Sequence, residues 1–223
     1  SPINDIPFHH YWMHAKRNGK QTALSDYSLP IEMCKQNKFA FPSEDESLDS
    51  TFSFAYHIDA GLYAKFLRSF SEPLGVIRRE GKVISVNQDN ESGFVTSVEM
   101  ESGDVVEADL FIDCSGFRGL LIDKTLKTPF IDWSHWLPMD SAIAVQTSLS
   151  QAPPPYTRSI ANHAGWQWRI PLQHRMGNGI VYSSEYMTDE EAKALLLTSI
   201  EGDLLTEPRK LNFKTGHREK LWH

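Results

Sequence analysis

The feature that most constrains this 223-residue chain is an alternating run of bulky apolar residues, GWQWRIP, at residues 165–171. Side chains two residues apart in a β-strand point to the same face, so Trp166, Trp168 and Ile170 are predicted to form one apolar stripe. Glycine before the run and Pro171 at its end mark where the strand begins and stops. Such a stripe either packs on a protein core or forms a wall for a flat ligand. Residue types alone leave both interpretations open.

The composition is that of an ordinary globular protein with an acidic balance. Hydrophobic residues make up 40% of the chain, charged residues 23%, and the formal net charge is -7. Excess negative charge disfavours binding to nucleic acid or to anionic membranes. Cys34 and Cys114 form no CxxC pair, and His10 and His14 lack further ligands, so neither a disulfide framework nor a metal site is predicted. With no secretory leader and no membrane span recognised, we expect a reducing cytoplasm.

Three helices are predicted from capping residues and apolar spacing. The first runs from about residue 8 to residue 17. The second follows Asp59, a favourable N-cap residue, and places apolar side chains at helical spacing over residues 58–70. The third begins at a capping box formed by Thr188 and Glu191. Strands lie between these helices, so the chain combines both kinds of element.

Short strands are predicted over much of the remaining sequence. Turn residues separate three apolar runs between residues 83 and 106, which indicates an antiparallel meander. The run at 108–113 is mostly apolar, which is typical of a parallel strand buried on both faces, and it ends in the kind of glycine turn where doubly wound folds bind ligands. Three more strands are predicted near 156–161, 166–171 and 179–184, with a turn at Met176–Gly179 between the last two.

Several motifs of this chain resemble those of the flavin-dependent tryptophan halogenase family. GWxWxIP at 165–171 together with Asp113-Cys114-Ser115-Gly116-Phe117-Arg118-Gly119 carries most of the resemblance. Further similar segments are His10-Tyr11-Trp12, Tyr56-His57-Ile58-Asp59-Ala60, Asp132-Trp133-Ser134-His135-Trp136-Leu137-Pro138 and Tyr182-Ser183-Ser184. The resemblance implies an α/β class, α+β within this chain. The fold is expected to be part of an FAD-binding, flavoprotein-hydroxylase-like fold with mixed and antiparallel sheets plus helices.

The resemblance also implies a chemistry. In this family a separate flavin reductase supplies reduced FAD, oxygen is activated at the flavin, and chloride or bromide is oxidised to hypohalous acid. That oxidant halogenates a small, electron-rich aromatic substrate such as tryptophan or another indole. The two tryptophans of the motif are thought to keep the organic substrate away from the flavin, so that a halide reacts there instead.

The family's site residues can be placed on this sequence only where its motifs match. The resemblance assigns a flavin guard motif, a set of cofactor-binding residues, and two candidates for the substrate pocket. These are, respectively, Trp166, Trp168, Ile170 and Pro171; Asp113, Ser115 and Gly116; and His10 and Trp12. The bottom-up interpretation of Asp113 and Gly116 is that they shape the backbone beside a cofactor and do not react.

Compared with the family, the chain lacks a GxGxxG turn, the catalytic lysine and the catalytic glutamate. We therefore expect an internal fragment of one halogenase, inactive alone, and nominate none of its own residues as catalytic. The resemblance divides it into a helical and irregular segment, part of the FAD-binding subdomain, a substrate-side antiparallel sheet with a helix, and the start of a return to the FAD subdomain. These parts are residues 1–55, 56–125, 126–212 and 213–223.

Two other functions stay open at this point. The chain could belong to another FAD-dependent aromatic monooxygenase or oxidoreductase, or it could be a folded remnant or binding module without catalysis. Self-association is a further expectation, because a strand at 109–113 without parallel neighbours would leave apolar surface and sheet edges uncovered.

We expect the isolated chain to bind FAD weakly. In doubly wound folds a GxGxxG turn holds the cofactor diphosphate at a helix N-terminus, and this sequence has no such turn. Titration of FAD, followed by quenching of flavin fluorescence, measures the affinity directly. Tight stoichiometric binding, visible as a yellow protein after gel filtration, would contradict the expectation.

Overall fold

The structure of the protein is a computed structural model that describes residues 4–44 and 52–222. Its α-helices are α1 (Phe8–Arg17), α2 (Leu29–Lys35), α3 (Ala60–Ser71) and α4 (Asp189–Ser199). Its strands are β1 (Val83–Gln88), β2 (Val95–Met100), β3 (Val105–Glu107), β4 (Phe130–Asp132), β5 (Ser141–Thr147), β6 (Arg158–Asn162), β7 (Gly165–Pro171), β8 (Met176–Tyr182), β9 (Arg209–Asn212) and β10 (Gly216–Arg218). Helices and antiparallel sheets are thus combined, as the sequence predicted.

A five-stranded antiparallel sheet positions the tryptophan motif. Its strand order is β6-β7-β8-β5-β9. Strand β7 lies between β6 and β8, and every pair in the sheet is antiparallel. The predicted strands near 156–161 and 166–171 are therefore confirmed, while strand β5, which lies between β8 and β9, has no counterpart among the predictions.

The core described by the structure lies on one face of this sheet, where helix α4 packs. Ile180 and Tyr182 of β8 are fully buried, and Ile143 of β5 lies beside them. Ala192 and Leu196 of α4 complete this buried cluster. Tyr182 donates its hydroxyl to Asp189 at the start of α4, at 2.6 Å, so the same buried side chain also fixes one end of the helix.

Two smaller sheets complete the described strands. Strands β1, β2 and β3 form the predicted antiparallel meander. Strand β10 pairs with β4, so the chain returns near residue 216 to the segment around residue 131.

Two local predictions were wrong. Residues 108–113 belong to no strand of the described sheets, and Ile112 is 80% exposed. A parallel strand exists only through hydrogen bonds to neighbours, and none of the described strands is paired with this segment. The predicted turn at Met176–Gly179 is instead the first half of β8, and the actual turn is closed by a hydrogen bond from Leu172 N to Arg175 O, at 2.9 Å.

Helix α3 begins as predicted but does not bury its apolar face. Asp59 accepts hydrogen bonds from the amides of Gly61 and Leu62, at 2.9 and 3.1 Å, which confirms it as the N-cap. Phe66 and Phe70 on the apolar face remain exposed. None of the helices within 4–44 and 52–222 combines the length and the apolar character needed to cross a bilayer.

We expect Thr188→Ala to destabilise the chain by about 0.5–2 kcal/mol, the usual cost of losing an N-cap. Thr188 Oγ1 accepts from Glu191 N at 3.2 Å, and the Glu191 carboxylate accepts in return from Thr188 N at 2.8 Å. Urea unfolding measures the change. Thr198→Ala is the matched control, because this exposed threonine in the last turn of α4 bonds only the carbonyls of Ala194 and Leu195. Equal effects of the two substitutions would contradict the cap.

Candidate functional site

Strand β7 places Trp166 and Trp168 on the face of the sheet opposite helix α4. Their ring centroids lie 5.9 Å apart, with the ring planes inclined by 56°. Between them Gln167 points the other way, is 2% exposed, and accepts a hydrogen bond from Ser199 Oγ of α4 at 2.8 Å. The predicted common face is confirmed, and it is not the face that packs on the core around α4. Trp166 keeps 40% of its surface exposed.

Small residues lie beside the tryptophans across the sheet. Trp168 pairs in register with Gly179 of β8, and Gly179 pairs with Ala144 of β5. A Cβ atom added to Gly179 would lie 1.9 Å from a carbon of the Trp168 ring, so the indole occupies the space above this glycine. Trp166 pairs in register with Val181, also of β8. We call this apolar surface of Trp166, Trp168 and Gly179 the tryptophan shelf.

The remaining two residues of the motif differ in position. Ile170 is half-buried and shares the face of the tryptophans, as predicted. Pro171 is buried at the end of β7 on the alternate face, and its carbonyl oxygen lies 2.8 Å from Nδ1 of His57. Three of the four motif residues therefore contribute to the shelf side, and Pro171 ends the strand.

The loop at 113–119 is organised by the carboxylate of Asp113. Asp113 Oδ1 accepts from Ser115 N and Ser115 Oγ, at 3.0 and 2.6 Å. Asp113 Oδ2 accepts from the amides of Leu121 and Ile122, at 2.8 and 3.0 Å. These amides open the π-helical turn Leu120–Thr125, so the carboxylate serves as its cap. Four donors satisfy the carboxylate from within the chain.

Ser115 is equally committed to the loop. Its hydroxyl oxygen accepts from Leu120 N at 2.7 Å while the hydroxyl donates to Asp113. Burial raises the pKa of Asp113, but the hydrogen bonds from Ser115 and from the amides of Ile122 and Leu121 outweigh burial and bring the pKa below its ordinary value. The ionised carboxylate is thus the form that the loop stabilises.

Gly116 is the open point of this loop. It has a φ of +68°, a conformation that favours glycine, and within residues 4–44 and 52–222 no other atom lies within 4 Å of the position of an added Cβ. The flanking Cys114 and Phe117 are exposed. A planar cofactor could approach the backbone here, whereas the side chains of Asp113 and Ser115 are already occupied. The backbone at Gly116 is therefore the part of the loop that is open to a ligand.

A cavity of about 560 Å³ lies next to Asp113, which is one of its lining residues. Its walls are mainly apolar and include Phe111, Leu121 and Trp222. Arg218 also lines it, but its guanidinium is held by Asp123 at 3.0 Å. Asp109 and Asp113 add two carboxylates to the lining.

His10 and Trp12, the candidates for a substrate pocket, have local contacts in α1. The rings of His9 and His10 lie 4.1 Å apart, and His10 is exposed. Trp12 Nε1 donates to the carbonyl of Thr22 at 2.8 Å, and Lys16 lies over the indole ring. These contacts hold Trp12 against the segment that follows α1.

Within the described part of the chain, no cluster of three or more His, Cys, Asp and Glu side chains could hold a metal ion.

Burial, followed by the hydrogen bond to Asp189, raises the pKa of Tyr182, which keeps its proton inside the core. The side chains with shifted pKa values that were described above, Asp113 and Tyr182, thus serve capping and packing.

Comparison with known proteins places this geometry in context. A sequence model described as tryptophan halogenase matches residues 1–223. Tryptophan 7-halogenase RebH of Lentzea aerocolonigenes is 38% identical over 97% of this chain and 42% of its own length. Tryptophan 6-halogenase ThaL of Streptomyces albogriseolus is 34% identical over 98% of this chain and 42% of its length. The chain spans about two fifths of the length of these curated relatives.

Two similar solved structures are also halogenases. BrvH, a flavin-dependent halogenase from Brevundimonas sp. BAL3, superposes with a TM-score of 0.94 at 44% identity, over 100% of this chain and 46% of that one. Xcc4156, a flavin-dependent halogenase from Xanthomonas campestris, gives a TM-score of 0.92 at 44% identity, over 100% of this chain and 44% of that one.

We expect Gly179→Ala to destabilise the chain by about 1–3 kcal/mol, because the new methyl group must displace the Trp168 ring. Thermal unfolding and near-ultraviolet circular dichroism report stability and indole packing. Gly177→Ala is the matched control: Gly177 lies two residues away on the same face, where an added Cβ would meet the Ile170 carbonyl at an ordinary 3.6 Å. In a Trp168→Ala background the cost of Gly179→Ala should largely disappear. Equal stability of the two alanine variants would contradict the contact between Gly179 and Trp168.

Proposed function

Since the chain belongs to the tryptophan halogenase family, we propose that it forms the tryptophan-bearing part of a flavin-dependent enzyme that halogenates a small, electron-rich aromatic compound. The substrate class is tryptophan or another indole, in keeping with the names of its relatives RebH and ThaL. Chloride or bromide is the halogen source. The chain alone is expected to be inactive, because it lacks the family's catalytic lysine and glutamate motifs.

One observation carries the proposal: the tryptophan shelf faces away from the core around α4. An indole pair in a strand would be fully explained by packing if it lay under a helix. Here the core face carries Ile180 and Gln167, and Trp166 on the opposite face is 40% exposed. An aromatic, apolar and partly open surface of this kind suits a planar ring system and excludes water from its neighbourhood.

FAD is the group that the family implies, and when bound and reduced it would activate oxygen for oxidation of the halide. Of the residues described, the backbone at Gly116 offers the open approach. Asp113 and Ser115 hold the loop at 113–119 in place. Trp166 and Trp168 would exclude the organic substrate from the flavin, which leaves room for a halide ion and makes the shelf a determinant of which molecule is oxidised.

Other parts of the proposal rest on the family alone. His10 and Trp12 are candidates for the substrate pocket, and a separate flavin reductase is the expected source of reduced FAD. The division of the chain at residues 55, 125 and 212 follows the same reasoning. A cytoplasmic location is proposed on the sequence features alone. Self-association of the isolated chain is favoured by the exposed apolar side chains of Ile112 and Phe66.

An assay of the full-length protein that contains this chain tests the function. The protein is supplied with FAD, a flavin reductase and its reductant, oxygen, sodium bromide or chloride, and either tryptophan or indole. Mass spectrometry then identifies products by the isotope pattern of the halogen. A halogenated aromatic product supports the proposal. A hydroxylated product without halogen would identify an aromatic monooxygenase, and unchanged substrate with every indole tried would favour a protein without this activity.

We expect the double variant Trp166→Ala/Trp168→Ala to lose halogenation at least about tenfold, a change of about 1.4 kcal/mol or more in the activation barrier. The physical reason is loss of the surface that separates the organic substrate from the flavin. Circular dichroism must show that the variant remains folded. Tyr186→Ala, which removes an exposed aromatic ring after β8, is the control and should keep its activity. Undiminished halogenation by the folded double variant would refute the role given to the shelf.

A further inference from the structure

We propose that Asp59, Arg175 and His57 form a polar clasp that positions the tryptophan shelf, so that these residues control how much of the oxidant reaches the halide. The proposal rests on the proposed function. Asp59 and His57 precede helix α3, whereas Arg175 closes the turn between β7 and β8. The clasp therefore joins the segment predicted to belong to the FAD-binding part with the two strands that build the shelf.

Asp59 uses its two carboxylate oxygens for two different tasks. Oδ1 caps α3 through the amides of Gly61 and Leu62, and Oδ2 accepts from Arg175 Nε and Nη2, at 3.1 and 2.8 Å. His174 Nε2 lies 3.2 Å from the same Oδ2. The side chains of Asp59 and Arg175 are only 15% and 17% exposed, which strengthens their interaction relative to a surface ion pair.

The pKa of Asp59 reflects these contacts. The hydrogen bond from Leu62 N contributes most, burial opposes it, and Arg175 adds hydrogen bonding and charge attraction, with the result that the pKa is lowered. The carboxylate is therefore ionised near neutral pH, when Arg175 carries its positive charge.

His57 connects the same segment to the open end of the β6–β7 hairpin. Its Nδ1 lies 2.8 Å from the carbonyl oxygen of Pro171, and its Nε2 lies 3.1 Å from Thr157 Oγ1. A carbonyl oxygen can only accept, so Nδ1 must carry the proton. A hydrogen bond between Nε2 and the Thr157 hydroxyl occupies the other side of the ring. One imidazole thus links Pro171, which ends the motif strand, with the residue before β6.

The contacts of the clasp converge on one end of the shelf strands. Arg175 precedes β8 by one residue, and Pro171 follows Trp168 by three. Strand β8 supplies Gly179, over which the Trp168 ring lies. Because a shift of the β7–β8 turn moves both strands together, fixing the turn to α3 fixes the orientation of the shelf relative to the segment that leads into α3. These are positioning residues, since none of them belongs to the shelf itself.

Capping of α3 and positioning of the shelf can be separated by substitution. Asp59→Ser keeps a good N-cap residue but is too short to reach Arg175. Arg175→Met removes the same link from the other side and leaves Asp59 intact, and Arg175→Lys retains the charge. Arg158→Met, at an exposed position in β6, is the matched control. All variants are made in the full-length protein.

The measured quantity is the amount of halogenated product formed per oxygen consumed. The melting temperature of each variant is measured in parallel. Asp59→Ser and Arg175→Met should each lower this ratio several-fold, the double variant should be no worse than either single one, and Arg175→Lys should recover part of the loss. Arg158→Met should match the wild type. A ratio unchanged in both Asp59→Ser and Arg175→Met, or losses that multiply in the double variant, would overturn the proposal.

A second measurement does not depend on halogenation. Fluorine NMR of protein labelled with 5-fluorotryptophan, assigned with Trp166→Phe and Trp168→Phe, reports the surroundings of the two rings. Asp59→Ser, Arg175→Met and His57→Ala should shift or broaden these two resonances, and Arg158→Met should not. Unmoved resonances in all three variants would refute the clasp whatever the enzyme does. Absence of halogenated product from the wild type, with shifted resonances in the variants, would instead refute the proposed function and leave the clasp supported.

Discussion

The placement of the Trp168 ring over Gly179 is the contact on which the arrangement of the site depends. A large planar side chain can pack closely against the adjacent strand only where that strand has no side chain in the way. Gly179 meets that requirement, and Ala144 continues the low surface on the next strand. The ring is therefore placed by backbone geometry and by the absence of a methyl group.

The two faces of the five-stranded sheet have different tasks. One face, with Ile180, Tyr182 and the residues of α4, supplies the hydrophobic burial that stabilises the sheet. The other face is then free to carry aromatic side chains that remain partly exposed. Strand β7 illustrates the division, because Gln167 is tied to α4 while its two tryptophan neighbours are directed away from it. Stability on one face permits an open, ligand-suited surface on the other.

Predictions of helix caps from local sequence succeeded. The capping residues Asp59 and Thr188 act as expected, because a cap needs only the first turn of its own helix. The common face of Trp166 and Trp168 follows from the two-residue period of a strand. The run at 108–113 failed because its strand character requires hydrogen-bond partners, which no local pattern supplies. Family membership, which rests on separate motifs, was also recognisable from sequence.

Two signals in the sequence pointed to features that the predictions missed. Gly177 and Gly179 alternate with the same period as the tryptophans, and glycine inside a strand often marks close approach of another group. Two such glycines suggest a turn when the partner strand is not considered. Similarly, Asp113 followed two residues later by Ser115 is a pattern for side-chain capping of a turn, which predicts a satisfied carboxylate. Strand β5 was harder to predict from its residues, because its alternating alanines give little contrast between an apolar and a polar face.

The self-satisfied loop at Asp113 has a consequence for the energetics of cofactor binding. Ordering a flexible backbone segment costs about 1–2 kcal/mol of conformational entropy per residue at 25 °C. Here four hydrogen bonds to one carboxylate order the loop during folding, so that cost falls on the folding equilibrium instead of the binding equilibrium. Under the proposed function, a planar ligand that arrives at Gly116 would meet a surface already in shape. Its affinity would then reflect contact and desolvation, and its release would leave the loop unchanged.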